Sequence, residues 1–154
     1  MKRYYLEDLT VGQVFTSPSR EISAEAIKAF AREFDPQPFH TDETAAETTF
    51  FRGLAASGWH TAALTMRLLV DGGLPLAGGA ISAGGEIRWP QATRPDDVLT
   101  VTSTVEDIRP SASRPDRGMV RVRSETRNQK GETVQVLVST VIAFRRPDPG
   151  RGRD

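Results

Sequence analysis

"SGWHTAALTMRLLVDGG", residues 57–73, is the strongest helical stretch in the chain. Ala62, Ala63, Met66, Leu69 and Val70 fall along one broad face, Arg67 is the only charge before Asp71, and Gly72-Gly73 is a stop signal. A helix apolar around so much of its circumference needs cover on several sides. After Gly78 the pattern changes to the two-residue period of strands. "AISAGGEIRWP", "DVLTVTSTVEDIRP", "GMVRVRSETRNQKGE" and "TVQVLVSTVIAFRRP" follow one another. The pair Gly84-Gly85 signals a bulge or a close approach by another backbone, and "NQKGE" is a hairpin loop. One central helix followed by long antiparallel strands predicts an α+β domain whose curved sheet wraps the helix. The edge and apolar face of such a sheet predict a dimer.

Upstream of the helix, "YYLEDLTVGQVF" reads as an entry segment and short strand with a turn at Gly12, and "SPSREIS" continues in extended form. "SAEAIKAFAREF" carries Ile27, Phe30, Ala31 and Phe34 at helical spacing, with Ser23 as its cap and Pro36 ending it. "TDETAAETTFF" reads as a second short helix capped by Thr41 or Asp42 and broken at Gly53.

The 154 residues suffice for one domain, assigned to residues 1–146, with 147–154 a polar Gly/Pro-rich tail expected to be disordered. Twenty basic and twenty acidic residues cancel, which argues against nucleic acid or an anionic membrane surface as partner. The absence of cysteine removes disulfides, thiolate nucleophiles and Cys-based metal sites. The opening "MKRYYLEDLTVGQVF" lacks the apolar run of a secretory signal, and no stretch approaches the roughly 18 apolar residues of a membrane span. A soluble cytoplasmic protein is the expectation.

Chemistry concentrates in "FDPQPFHTDE", residues 34–43, which holds one of the chain's 2 histidines. Pro36 and Pro38 stiffen the connection between Asp35 and His40 and predict an extended loop. A carboxylate and an imidazole in fixed relation can hold a water, take its proton and return it elsewhere. Burial is expected to tune the carboxyl upward. Alone, Asp-x4-His is a weak motif, and Asp42 reads as a helix cap. "AASGWHTAAL" adds a second feature, because Ser57 and Gly58 open the central helix. The free N–H groups of a first helical turn, with glycine allowing close approach, suit an oxyanion. The plain alternative makes Ser57 an N-cap and Gly58 a small residue at a crossing. His60 reads as a packing or hydrogen-bonding residue.

Together these stretches resemble the MaoC-like acyl dehydratases, which include the R-specific enoyl-CoA hydratases of the hot dog fold. That motif reads roughly Asp-x-Asn-Pro-(Ile/Leu)-His-x-Asp, followed by a phenylalanine and His-Gly or Ser-Gly at the central helix. Here "DPQPFHTD" and "TTFFRGLAASGWHTAALTMRLL" are similar, and "IRWPQATRPDDVLTV" resembles the segment with an aromatic residue, a proline and a later Pro-Gly-Asp. The likeness runs from about Tyr5 to Phe144. Gln37 stands for asparagine, Phe39 for a smaller aliphatic, Ser57 for a frequent histidine and Asp96 for the glycine.

The resemblance implies a single hot dog fold that dimerises, an acyl-thioester substrate carried on coenzyme A or acyl carrier protein, and no metal or redox cofactor. It implies reversible hydration of a 2-enoyl thioester, with Asp35 and His40 catalytic, the Gly58 N–H holding the carbonyl oxygen and Ser57 supporting. Which of Asp35 and His40 is the base stays open, as does whether Ser57 orients them or caps the helix. Phe39, Phe50, Phe51 and Trp59 are candidate pocket residues, and Arg52, Arg88 and Arg94 candidates for the carrier's phosphates. A thioesterase of the same fold is a rival, disfavoured because the central helix offers no carboxylate before Asp71. A non-catalytic acyl-binding subunit is another, disfavoured by the intact Asp35/His40 pair.

Overall fold

A computed structural model describes residues 1–148. Residues 149–154 of the expected tail lie outside the described residues. The chain opens with a short 3-10 turn, Leu6–Asp8, followed by strands β1 (Val14–Thr16) and β2 (Arg20–Glu21). Helices α1 (Ala24–Phe34), α2 (Pro38–Thr41), α3 (Glu43–Ala46) and α4 (Gly58–Leu68) come next. Strands β3 (Ile81–Arg88), β4 (Val98–Pro110), β5 (Arg117–Arg127) and β6 (Thr133–Phe144) complete the domain. The sheet runs β1-β4-β5-β6-β3, with β2 also pairing β4, and every strand pairing is antiparallel. This is the sheet-around-helix domain that the strand and helix order predicts, and the hot dog arrangement that the resemblance implies.

The local signals act as their chemistry requires. Ser23 Oγ accepts from the Ala26 N–H at 3.1 Å, and Asp42 Oδ1 accepts from the Ala45 N–H at 3.0 Å. The central helix ends in a wider turn, Leu69–Gly73, where Gly72 takes φ +148°. In β3 the register shifts between Ser82 and Gly84. The missing side chain of Gly85 lets the Val138 carbonyl approach closely.

Three expectations need correction. The segment around Pro38 is not extended throughout: Pro38 stands at the first position of α2, where its missing N–H has no helical partner to lose. Phe34 is exposed rather than part of the buried face of α1, which consists of Ile27 and Ala31. Met66 of α4 and Val70 in the turn after it lie toward solvent, whereas Thr61, Thr65, His60 and Leu68 of α4 are buried.

Threonine is accepted there because each buried hydroxyl has a partner. Thr61 Oγ1 meets Thr93 Oγ1 at 2.9 Å, and Thr65 Oγ1 meets Thr126 Oγ1 at 2.7 Å. A buried hydroxyl without one costs about 1–3 kcal/mol. Beyond Thr65 the interior becomes aliphatic: Leu68, Leu69, Leu74 and Leu76 share a core with Leu99, Val101, Val120 and Val122. The larger apolar cluster thus gathers at the C-terminal half of α4, and the half that faces the site combines the paired hydroxyls with a smaller cluster of Ile22, Ile27, Leu54 and Ala56.

Candidate active site

Asp35 is the residue on which α1 stops, and His40 sits in the single turn of α2. Two backbone-directed contacts dock this segment beside the chain leading into α4. The Ala55 N–H donates to Phe39 O at 3.0 Å, and His40 Nδ1 lies 2.6 Å from Ala55 O. A carbonyl can only accept, so Nδ1 carries the proton and leaves Nε2 to the site. Nε2 is 3.3 Å from Asp35 Oδ2. The imidazole is buried, and the Asp35 side chain keeps 17% of its surface.

Ser57 fulfils both of the roles that the sequence leaves open. Its hydroxyl donates to Asp35 Oδ2 at 2.7 Å and accepts from the Trp59 N–H at 3.3 Å as the helix cap. Gln37 Nε2 donates to Asp35 Oδ1 at 2.6 Å, so both carboxylate oxygens are held. Burial raises the Asp35 pKa, but the Ser57 and Gln37 hydrogen bonds and the neighbouring His40 outweigh it. The carboxyl is therefore held below its ordinary value. This reverses the expectation of an upward shift, because desolvation is only one of the influences on the group.

A cavity of about 300 Å³ opens beside this pair, with His40, Phe50, Phe51, Gly58 and Trp89 in its walls and Thr61 and Thr93 at its buried side. The Gly58 N–H has no hydrogen-bond partner among the described residues. The Trp89 indole lies against Gly58 so closely that a Cβ there would meet its ring at 2.8 Å and displace it. His40 Nε2, the helix tip and an apolar enclosure thus converge. Among the described residues no group of three or more potential metal ligands occurs.

The other sequence-predicted residues divide. Phe50 and Phe51 line the cavity, and Phe39 stands behind them, 5.1 Å from Phe51 and edge-on to His40 at 4.6 Å. Trp59 is 62% exposed and touches Trp89 edge-on at 5.4 Å without lining the cavity. Arg94 gives its guanidinium to the carbonyls of Phe51, Gly53 and Leu54, so it braces the phenylalanine loop rather than offering itself to a phosphate. Arg88 is exposed, with Glu86 3.8 Å away. Arg52 sits in that loop at φ +53°. His60 is buried, stacks on Phe30 at 4.5 Å, and has its pKa lowered by that burial. Sequence reasoning missed Trp89 as a wall and Gln37 as a donor. The aromatic of "IRWP" and the departure at Gln37 were the available signals.

Compared with known families, residues 8–128 match the MaoC like domain. The chain belongs to the MaoC-like dehydratase family. It is similar to a crystal structure of the MaoC-like dehydratase from Rhodospirillum rubrum. The two share 60% identity and a TM-score of 0.92, over 94% of this chain and 99% of that one. It is 38% identical to the uncharacterized protein YdeM of Bacillus subtilis, over 81% of this chain and 88% of that protein. An (R)-specific enoyl-CoA hydratase of Rhodospirillum rubrum is 33% identical, over 70% of this chain and 73% of its own length. Membership gives the Asp35 geometry a family setting: the carboxylate, the imidazole and the glycine at the helix tip all lie within the matched MaoC-like region.

Asp35 carries a pH signature. A carboxyl depressed in the folded state adds stability above its unfolded pKa of about 3.9, and loses it as pH falls through the lower folded value. Ser57→Ala removes one of the donors responsible and the helix cap. The Asp35 titration should move upward, with a loss of about 1 kcal/mol near neutral pH. That loss should shrink below about pH 4, as Asp35 becomes protonated in wild type too. Carboxyl NMR and urea unfolding over a pH series check this; an unmoved Asp35 titration contradicts it.

Proposed function

We propose that this MaoC-like protein is an acyl dehydratase that reversibly adds water across a 2-enoyl thioester to give a 3-hydroxyacyl thioester. The observation that carries the reading is the convergence of His40, whose Nε2 is 3.3 Å from Asp35, with the unpartnered Gly58 N–H at one cavity. The thioester carbonyl accepts from that N–H, where the helix tip favours the negative charge that builds up on its oxygen. A water donates to Asp35 and to His40 Nε2. As its oxygen bonds to the β-carbon, Nε2 takes one proton; the resulting N–H then protonates the α-carbon. One hydrogen and one hydroxyl are thereby added, and neither catalytic group is consumed.

The pKa direction supports this division of labour. Asp35, held ionised, orients the water and stabilises the imidazolium, and His40 is the base. The carrier is coenzyme A or acyl carrier protein, and no resident cofactor enters the scheme. A thioesterase reading gains nothing from the geometry, since Asp71 lies past the end of α4 and is paired with Arg67 at 2.8 Å.

The active form is proposed to be a homodimer. Met66 on α4, Val70 in the turn after it and Ile81 on β3 are each more than 40% exposed. β3 is also an edge strand with an unpaired side. Light scattering should give twice the chain mass, and a single-chain mass at micromolar concentration contradicts it.

Asp35→Asn and His40→Ala should each lower hydration of an enoyl-CoA by about 10²-fold or more, with circular dichroism unchanged. Near-wild-type turnover by both variants would remove the assignment.

A further inference from the structure

Gln135 is fully buried on β6, a strand whose inward residues are otherwise mostly aliphatic or small. Its Oε1 accepts from the Trp89 indole N–H at 2.9 Å. Its Nε2 has no partner among the described residues. An orphaned buried amide nitrogen costs stability, and an aliphatic side chain of the same length would not. Gln135 is therefore a poor choice for folding alone, and its one satisfied contact is the bond to Trp89.

That bond acts on a wall of the cavity. Trp89 leaves β3 and lays its ring on the backbone of Gly58, with Trp59 edge-on at 5.4 Å. The ring is still 40% exposed, so packing by itself does not enclose it. The hydrogen bond adds direction to that loose packing: it fixes the indole plane from behind while the ring borders the cavity in front. The recess beside the ring is about 300 Å³ and open on one side, so the position of each wall bears on the acyl chain it admits.

We propose that Gln135 is a positioning residue that holds Trp89 as a fixed wall of the acyl pocket, and that this pair limits the site to short acyl chains. The inference rests on the hydratase reading above. Gln135 touches no substrate and acts through the indole. Releasing the ring lets longer chains in, and a pocket wall worth one or a few methylenes discriminates by about tenfold or more.

The test compares kcat/KM for 2-octenoyl-CoA with that for crotonyl-CoA in wild type, Gln135→Met, Trp89→Ala and the double variant. Methionine keeps length and apolar volume and removes both the unpartnered amide nitrogen and the acceptor of the indole N–H. The octenoyl-to-crotonyl ratio should rise by about tenfold in Gln135→Met and at least as much in Trp89→Ala. The double variant should match Trp89→Ala within about twofold, because without the indole Gln135 has nothing to hold. In a nitrogen–proton NMR spectrum the chain shows 2 indole N–H signals, and the one lost in Trp89→Ala should shift and exchange faster in Gln135→Met.

An unchanged ratio in Gln135→Met, or effects that simply add in the double variant, overturns the proposal. Failure of wild type to hydrate either thioester sinks the hydratase reading and the acyl role with it. An unmoved Trp89 indole signal in Gln135→Met sinks the hold independently of any turnover.

Discussion

The hydrogen bond from Ser57 to Asp35, 2.7 Å long and joining residues 22 apart in sequence, is the contact on which the site depends. One hydroxyl caps α4 and at the same time grips the carboxylate on which α1 ends. It therefore sets the distance between an acid–base pair and the tip of a helix, two features that neither segment has alone. The bonds between the α2 segment and Ala55 complete the docking, since they fix the His40 ring and its tautomer. Because Asp35 is held from both sides, its proton affinity is a product of the fold and not of the residue type.

The central helix is divided along its length and around its girth. Its first turn serves the site, its threonine face meets the sheet through paired hydroxyls, and its last turn enters the aliphatic core. Its Met66 and Val70 face is left uncovered within one chain. The leucine and valine cluster anchors the far end, and the near end carries a glycine, a serine and paired polar groups beside a smaller apolar cluster of Ile22, Ile27, Leu54 and Ala56.

Much of this was legible in the sequence. The stop at Gly72, the caps at Ser23 and Asp42 and the alternation of the long strands are local signals, and each follows from backbone chemistry. The association of Asp35, His40, Ser57 and Gly58 followed from the resemblance to the family, and the geometry brings the four together. Which face of α4 would be buried was not legible, because apolar residues left exposed on one chain look the same as core residues in a sequence. Thr61 and Thr65 give the opposite illusion, since their partners lie on distant segments. The direction of the Asp35 pKa needed the donors Ser57 and Gln37 to be seen in place. The bracing role of Arg94, a candidate for the carrier's phosphates, needs its three backbone acceptors to be seen in place. Asp96 departs from the family's glycine and takes φ +68°, a left-handed turn that aspartate tolerates better than most residues.

The central claim is spatial: the acyl thioester sits with its carbonyl on the helix tip and its unsaturated carbons over the acid–base pair. A crystal structure with a non-hydratable enoyl-CoA analogue measures this directly. The account predicts the thioester oxygen within hydrogen-bond distance of the Gly58 nitrogen, and the β-carbon facing a water held by Asp35 and His40 Nε2. An analogue bound with its carbonyl turned away from α4, or seated in a different part of the molecule, would contradict it.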